Sequence, residues 1–380
     1  MEKELQMQEW NSQDEFNSYN SWKGLHYLSW YESIKKWKIT RNPLDLKVPI
    51  EASIDPSPNA ACNLLCKWCN AFKFLKKTDY ISDQQIIDLH KFLLDWGCLA
   101  FCEGGGGDPT IRNNLTEIFY LIKSYNRQSS IATNGTLFTD KLIEAMATCC
   151  RWVGISIDAA TSETYLKGRS VNLFDKAITN MKKLVNKINS DKNNCEVSYK
   201  FLVTPWNYLE IYDACKLAKE IGVKDFHCRI GDLTHQGLGD QKIDNYDYAI
   251  ENILEQFEKC LSLRTDNFRP FCVRHKFDKN FKPLKNFSQC YAMPILIQCC
   301  PDGNVYSCVD QRLVENFKLG SYIPDPKNIL NFWGGEKHYN LVFNNTPKIC
   351  NNRCTFTKYC LQAEKLVFEE DKDYMCKWFT

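Results

Sequence analysis

This chain of 380 residues holds no run of about 18 apolar residues, the length a membrane-spanning helix needs. Its polar start, MEKELQMQEWNSQDEFNSYN, lacks the apolar stretch of a secretion signal. Charge of one sign is missing too. Lys+Arg number 48 against Asp+Glu 46, a net of +2, so neither a basic field for nucleic acid nor the acidic excess of a disordered chain is present. These absences lead us to expect a cytoplasmic protein with no membrane span and no nucleic-acid partner. The 44% hydrophobic and 13% aromatic content supplies core enough for a large domain and a smaller one.

Cysteine, by contrast, is abundant at 20 residues. In a reducing compartment such residues serve as metal ligands or buried apolar groups more readily than as disulfides, and their crowding after residue 272 favours ligands. The stretch ACNLLCKWCNA places Cys62, Cys66 and Cys69 in a C-x3-C-x2-C spacing. Zinc wants four ligands and a disulfide two, whereas three closely spaced thiolates can hold three irons of a [4Fe–4S] cube and leave the fourth open. A zinc knuckle with a distant fourth ligand and unliganded thiols are the alternatives.

Residues 1–48 read as an aromatic-rich leader in which Trp30, Ile34 and Trp37 fall at helical spacing. Such a helix packs on the main domain or, alternatively, meets a membrane surface or a partner. From 49 to 265, six apolar runs (VPIEASI, CLAFC, SSIAT, WVGISI, EVSYKFLV and DFHCRI) alternate with stretches of helical period. The clearest helix is predicted over 82–97, with a capping box from Ser82 and Gln85, a face of Ile86, Leu89, Leu93 and Leu94, and a stop at Gly97. Repeated strand–helix units predict an α/β fold with a parallel sheet, doubly wound or curled into a barrel, and function at the C-terminal strand ends.

Those ends carry polar, glycine-rich turns. The cysteine loop follows the first strand, and the second is followed by CEGGGGDPT, where glycines let a ligand approach bare backbone. ATNGT ends the third strand and SIDA the fourth, offering Asn134, Ser156 and Asp158. The C-x3-C-x2-C loop with Trp68 before its last cysteine, followed in order by the glycine–acid–proline stretch, TNG and SIDA, resembles the radical S-adenosylmethionine (radical SAM) enzymes over about residues 50–235. The resemblance implies a partial (β/α)6 barrel whose cluster, on Cys62, Cys66 and Cys69, offers its open iron to the amino and carboxylate groups of S-adenosylmethionine (SAM). Reductive cleavage of SAM would then give a 5′-deoxyadenosyl radical that abstracts hydrogen from substrate. It also implies that Gly105, Gly106, Gly107 and Asp108 bind the methionyl amino group, with Trp68 near the adenine, Ser156 near the ribose, and Asn134 and Asp158 in the same site. Asp108 stands where the family usually has Glu. An electron donor such as flavodoxin or ferredoxin is implied as a partner.

Residues 266–380 resemble the SPASM extension of that family, or its shortened twitch form, which binds auxiliary [4Fe–4S] clusters. Cys290, Gly303 and Cys308 fit C-x12-G-x4-C, and CPDGNVYSC reads as a hairpin with an Asp-Gly turn. The resemblance gives at least one auxiliary cluster, on Cys350, Cys354, Cys360 and Cys376 or, twitch-like, on Cys290, Cys308, Cys350 and Cys354. Cys350 and Cys354 are spaced one residue wider than the family's pair, and Glu364 replaces a cysteine. A structural zinc site is the alternative.

Cys98, Cys149, Cys150, Cys195, Cys215 and Cys260 sit in apolar patterns and read as core. Cys102 and Cys228 are expected near strand ends facing the cavity, as hydrogen-atom donors to a substrate radical. His227 reads as a packed side chain. The expected substrate is a peptide or protein. A small molecule such as a sugar or aminoglycoside-like metabolite is the alternative, and a non-catalytic iron–sulfur or zinc-binding protein is the alternative of another class.

Overall fold

The computed structural model describes residues 28–57, 61–69, 81–231, 249–273, 287–312, 314–345, 350 and 354–365. Ten strands form one sheet, in the order β10-β9-β8-β1-β2-β3-β4-β5-β6-β7. Its centre is β1 (Glu51–Ile54), β2 (Ala100–Glu103), β3 (Gln128–Thr133), β4 (Cys150–Ser156), β5 (Glu196–Val203) and β6 (Asp225–Ile230), each parallel to the next. These match the six apolar runs. Among the described residues the linear order pairs no edge of this set with the other, so the barrel is open, as the partial-barrel expectation requires.

Helices α1 (Leu28–Thr40), α2 (Asp83–Trp96), α3 (Leu115–Ser124), α4 (Asp140–Cys149), α5 (Ser162–Arg169), α6 (Phe174–Asp191), α7 (Ile211–Ile221) and α8 (Ile250–Leu261) precede or connect the parallel strands. In α2 the Ser82 hydroxyl accepts from the Gln85 N–H, and the Gln85 carboxamide oxygen accepts from the Ser82 N–H. Gly97 closes the helix in the left-handed region. Ile86, Leu89, Leu93 and Leu94 are its buried face, as their spacing predicts.

Each edge of this set is then extended. Past residue 265, β7 (Arg269–Val273) continues the barrel sheet parallel to β6. At the opposite edge β8 (Leu296–Cys299) pairs parallel to β1, and β9 (Asn304–Tyr306) and β10 (Lys318–Ser321) follow antiparallel. The turn from β8 to β9 is the expected hairpin. Its Gly303 takes φ +77, and a Cβ there would lie 1.9 Å from Ile323 Cδ1, so only glycine fits. Helices α9 (Glu336–Asn340) and α10 (Thr357–Ala363) complete the C-terminal segment.

Helix α1 packs inward through Tyr31, Ile34 and Trp37, while Trp30 is half-buried and donates to the Val48 carbonyl at 2.6 Å. Trp37 donates to the Gly334 carbonyl and meets the rings of His338, Tyr339 and Phe343. The first 27 residues of the aromatic-rich leader lie outside the described residues. Among the described residues no helix is long and apolar enough to cross a membrane, and all 19 cysteines are free.

Candidate active site

The cysteine loop leaves β1 and docks on the end of α5: the N–H groups of Leu65 and Lys67 donate to the carbonyls of Arg169 and Gly168. Trp68 lies over Gly168, where a Cβ would come within 2.3 Å of the indole, and stacks on Trp206 at 6.1 Å. Cys62, Cys66 and Cys69 are half-buried on this loop. Burial pushes the Cys66 thiol up to about 12, against the pull of the Arg169 guanidinium. That guanidinium stands 3.4 Å from Cys66 Sγ. Asn134 reaches to 4.0 Å of Cys62 Sγ and donates to Asn63.

Arg169 is a contact of the cysteine loop that the sequence reading missed. It is buried, donates to the Ile157 carbonyl and pairs with Asp158. Burial opposes its charge, but Cys66, Asp158 and Tyr165 together hold its pKa above the usual value, so it stays cationic. Its signal was faint: one arginine in a short helix, eleven residues past Asp158.

Two expected cofactor contacts turn out differently. Asp158 gives its oxygens to Arg169 and the Leu202 N–H, so it anchors Arg169. Asp108 accepts from the N–H and hydroxyl of Thr110, the hydroxyl of Thr133 and the N–H of Asn134. The one-carbon-shorter acid is drawn into tying the glycine turn to β3. The glycines are also closely packed by protein atoms. A Cβ on Gly105 would fall 1.7 Å from Asp55 Oδ1, and one on Gly106 2.8 Å from Pro301 Cγ. Their missing side chains make room for protein atoms. Gly107, half-buried beside Asp108, and Ser156, at the end of β4 opposite Lys200, remain at the strand ends.

The hydrogen-donor pair separates. Side chains alternate along β6, and Phe226, Cys228 and Ile230 face the helices. Cys228 is buried against Cys272 and near Cys260, away from the lumen, which corrects the expectation for it. Cys102 does face the lumen, beside Ser130 and near Glu51 and Lys200. Burial holds its thiol up to about 11, hence protonated. His227 packs on Phe271 at 5.5 Å, as expected of a packed ring.

In the C-terminal segment Cys290, Cys308, Cys350, Cys354 and Cys360 are all buried. Cys290 Sγ lies 3.9 Å from Cys360 Sγ, bringing together residues that the two expected ligand sets kept apart. Gln311 donates to Cys350 Sγ and the Asp310 N–H to Cys308 Sγ. Glu364, in place of a cysteine, accepts from the N–H and hydroxyl of Ser288. Cys376 lies outside the described residues.

The donor set fits an iron–sulfur cube: three half-buried thiols on one loop, a guanidinium against one of them and a carboxamide near another. An open α/β barrel with such a loop at the end of its first strand defines an iron–sulfur enzyme of the radical type. The Radical SAM superfamily model matches residues 57–249, half of the chain, and the chain belongs to that superfamily. It is 26% identical over 282 residues to the probable GTP 3′,8-cyclase of Saccharolobus islandicus (strain M.14.25 / Kamchatka #1), covering 71% of this chain and 87% of that one. An S-adenosylmethionine-dependent nucleotide dehydratase of Thermoplasmatales archaeon (strain ISO4-H5) is 31% identical over 98 residues, 26% of this chain and 34% of that one. Among solved structures, Streptococcus suis SuiB bound to S-adenosylmethionine superposes with a TM-score of 0.61 at 18% identity, covering 81% of this chain and 70% of that one. SuiB bound to precursor peptide SuiA gives 0.58 at 17%, covering 89% and 76%. The anSMEcpe structure with bound AdoMet gives 0.57 at 18%, covering 82% and 88%.

Proposed function

We propose that this protein is a radical SAM enzyme that abstracts hydrogen from a peptide or protein substrate and carries at least one auxiliary [4Fe–4S] cluster. The observation that carries the reading is the loop of Cys62, Cys66 and Cys69 held at the end of β1 with Arg169 against Cys66. When bound, the cluster and SAM supply a hydrogen-abstracting radical. The chain's own residues would do the rest. Cys62, Cys66 and Cys69 hold three irons, Arg169 offsets thiolate charge, and Trp68 with Trp206 shields the loop from water. Cys102, protonated and facing the lumen, would return a hydrogen atom to a substrate radical. Flavodoxin or ferredoxin would supply the electron, in a cytoplasmic setting.

The peptide reading draws on the C-terminal segment of buried thiols and on a fold shared with SuiB, which was solved with its precursor peptide. A second reading, a nucleotide-like small molecule, draws on the relatives named GTP 3′,8-cyclase and on Lys200 and Arg229, which the strand alternation sets on the lumen side. Anaerobically reconstituted protein with dithionite and SAM is expected to release 5′-deoxyadenosine, and Cys66→Ala to release none. Product from Cys66→Ala would overturn the assignment. Stimulation of 5′-deoxyadenosine release by GTP, with GTP consumed, would replace the peptide reading with the nucleotide one.

A further inference from the structure

Helix α1 turns Tyr31, Ile34 and Trp37 inward, where Tyr31 meets Tyr359 and Trp37 meets Gly334 of the C-terminal segment. Its last turn and the residues that follow do the opposite. Ile39 is 84% exposed and Leu44 90%, while the next most exposed large apolar side chain among the described residues, Leu209, reaches 62%. Single exposed leucines are ordinary on a protein surface, but two nearly bare ones across one tight turn are not. The turn is also firmly built. Thr40 Oγ1 donates to Asp45 Oδ2 at 2.7 Å and accepts from the Asn42 N–H, the Asn42 carboxamide oxygen accepts from the Leu44 N–H, and Lys36 pairs with Asp45 at 2.6 Å. Trp37 and Leu46, on either side, are buried. The bonds that turn those two inward hold Ile39 and Leu44 outward, so the projection is set before any partner arrives.

Charge says what the partner is. Residues 35–47 hold Lys35, Lys36, Lys38, Arg41 and Lys47 against the single carboxylate of Asp45, in a chain whose total is only +2, and Glu32 is the one acid of α1 itself. Lys36, Lys38, Arg41 and Lys47 are exposed. Lys38 and Arg41 lie over the rings of Phe343 and Tyr339, and Lys47 over that of Trp30, which steadies their charged ends at the surface. A second copy pairing through the same patch would set like charges together. A folded partner would need pockets matched to two projecting side chains, whereas a bilayer takes up projecting apolar groups without a complementary shape. Anionic headgroups meet the cations in the same approach, and the two attractions add.

We propose that the end of α1 and the turn after it dock on an anionic lipid surface, with Ile39 and Leu44 entering the acyl boundary and Lys36, Lys38, Arg41 and Lys47 meeting headgroup phosphates. The contact is peripheral, since no described helix is long and apolar enough to cross a bilayer. It stands independently of the radical SAM reading.

The test sediments the full-length, anaerobically reconstituted protein with vesicles of phosphatidylcholine alone and of phosphatidylcholine mixed equally with phosphatidylglycerol. Wild type is expected to bind the mixed vesicles at least tenfold more tightly than the neutral ones, and added salt should weaken that binding. Ile39→Ser/Leu44→Ser should lose at least tenfold on the mixed vesicles. Lys38→Gln/Arg41→Gln should lose as much and respond less to salt. The serine variant should keep the wild-type melting temperature, because its two side chains project into water. No binding to either vesicle, equal binding to both, or undiminished binding by either double variant overturns the proposal. So does a lowered melting temperature in the serine variant, which would mean that the two side chains are packed. Binding to soluble polyglutamate but to neither vesicle would make the partner an acidic polypeptide and overturn it too.

Discussion

Asp55 and Asp108 show how little a residue's type says about its task. Both are buried acids beyond the ends of barrel strands, yet one has its oxygens filled by Thr110, Thr133 and Asn134 and the other lies beside the Arg312 guanidinium, the Gly106 N–H and the Cys300 thiol. The difference has a pH signature. In the unfolded chain Asp55 ionises at an ordinary carboxylate pKa near 3.8, while burial raises it to about 6 in the fold. Below the lower value both states are protonated and the aspartate costs nothing. As pH rises from there through 6, the folded state holds the proton longer, so stability falls and then levels. The melting-temperature difference between Asp55→Asn and wild type should therefore be small at pH 4, open between 4 and 6, and stay constant above. Asp225, also raised to about 6 by burial, contributes the same slope to both proteins and cancels in the difference. A gap that narrows with rising pH would contradict this account. Arg169 makes the complementary point, because a cation beside Cys66 matters only through its 3.4 Å contact, which no sequence spacing displays.

At the scale of elements, the glycine turn after β2 packs between β1 and the β8–β9 hairpin. A Cβ on Gly106 would meet Pro301 Cγ at 2.8 Å, and a proline ring in a packed hairpin cannot swing aside as a long flexible side chain would. Gly106→Ala is therefore expected to destabilise the protein by about 1–3 kcal/mol, read as a lower urea midpoint with an unchanged slope. An unchanged midpoint would mean that the hairpin yields at no cost. Other elements were plainly written in the chain. The Ser82–Gln85 capping box and the Gly97 stop are local hydrogen-bond chemistry, and they formed as read. The Asp-Gly turn of the β8–β9 hairpin was legible for the same reason.

For the whole molecule, the C-terminal segment is continuous with the barrel. β8 joins β1 edge to edge, and Trp37 of α1 packs with His338, Tyr339 and Phe343 in one shared core. An auxiliary cluster, if the segment carries the one proposed, should then bind independently of the radical cluster, since its candidate ligands Cys290, Cys308, Cys350, Cys354 and Cys360 share no residue with the Cys62–Cys69 loop. A Cys62/Cys66/Cys69→Ala triple variant, reconstituted anaerobically, is expected to retain about 4 irons per chain with a [4Fe–4S] spectrum. Cys354→Ala in that background should lose most of this iron, because both expected ligand sets include Cys354. Zinc, or no metal, in the triple variant would make the segment a structural cap.

The sequence by itself determined the parallel barrel, the cysteine loop at the end of β1 and the order of the strand-end turns. Periodicity, capping and cysteine spacing are local properties, and each constrains one element without reference to its neighbours. Tertiary structure alone decided which charged or thiol groups are left for chemistry. Cys228 and Cys102 both lie in apolar strands, and a parallel strand is buried on both faces, so its pattern does not say which face meets the lumen. Register and packing turned Cys228 toward Cys272 and left Cys102 inside. In the same way Asp108 was spent on Thr110, Thr133 and Asn134 while Asp55 was buried beside Arg312, because such surroundings depend on residues brought together from β1, β2, β3 and the β8–β9 hairpin.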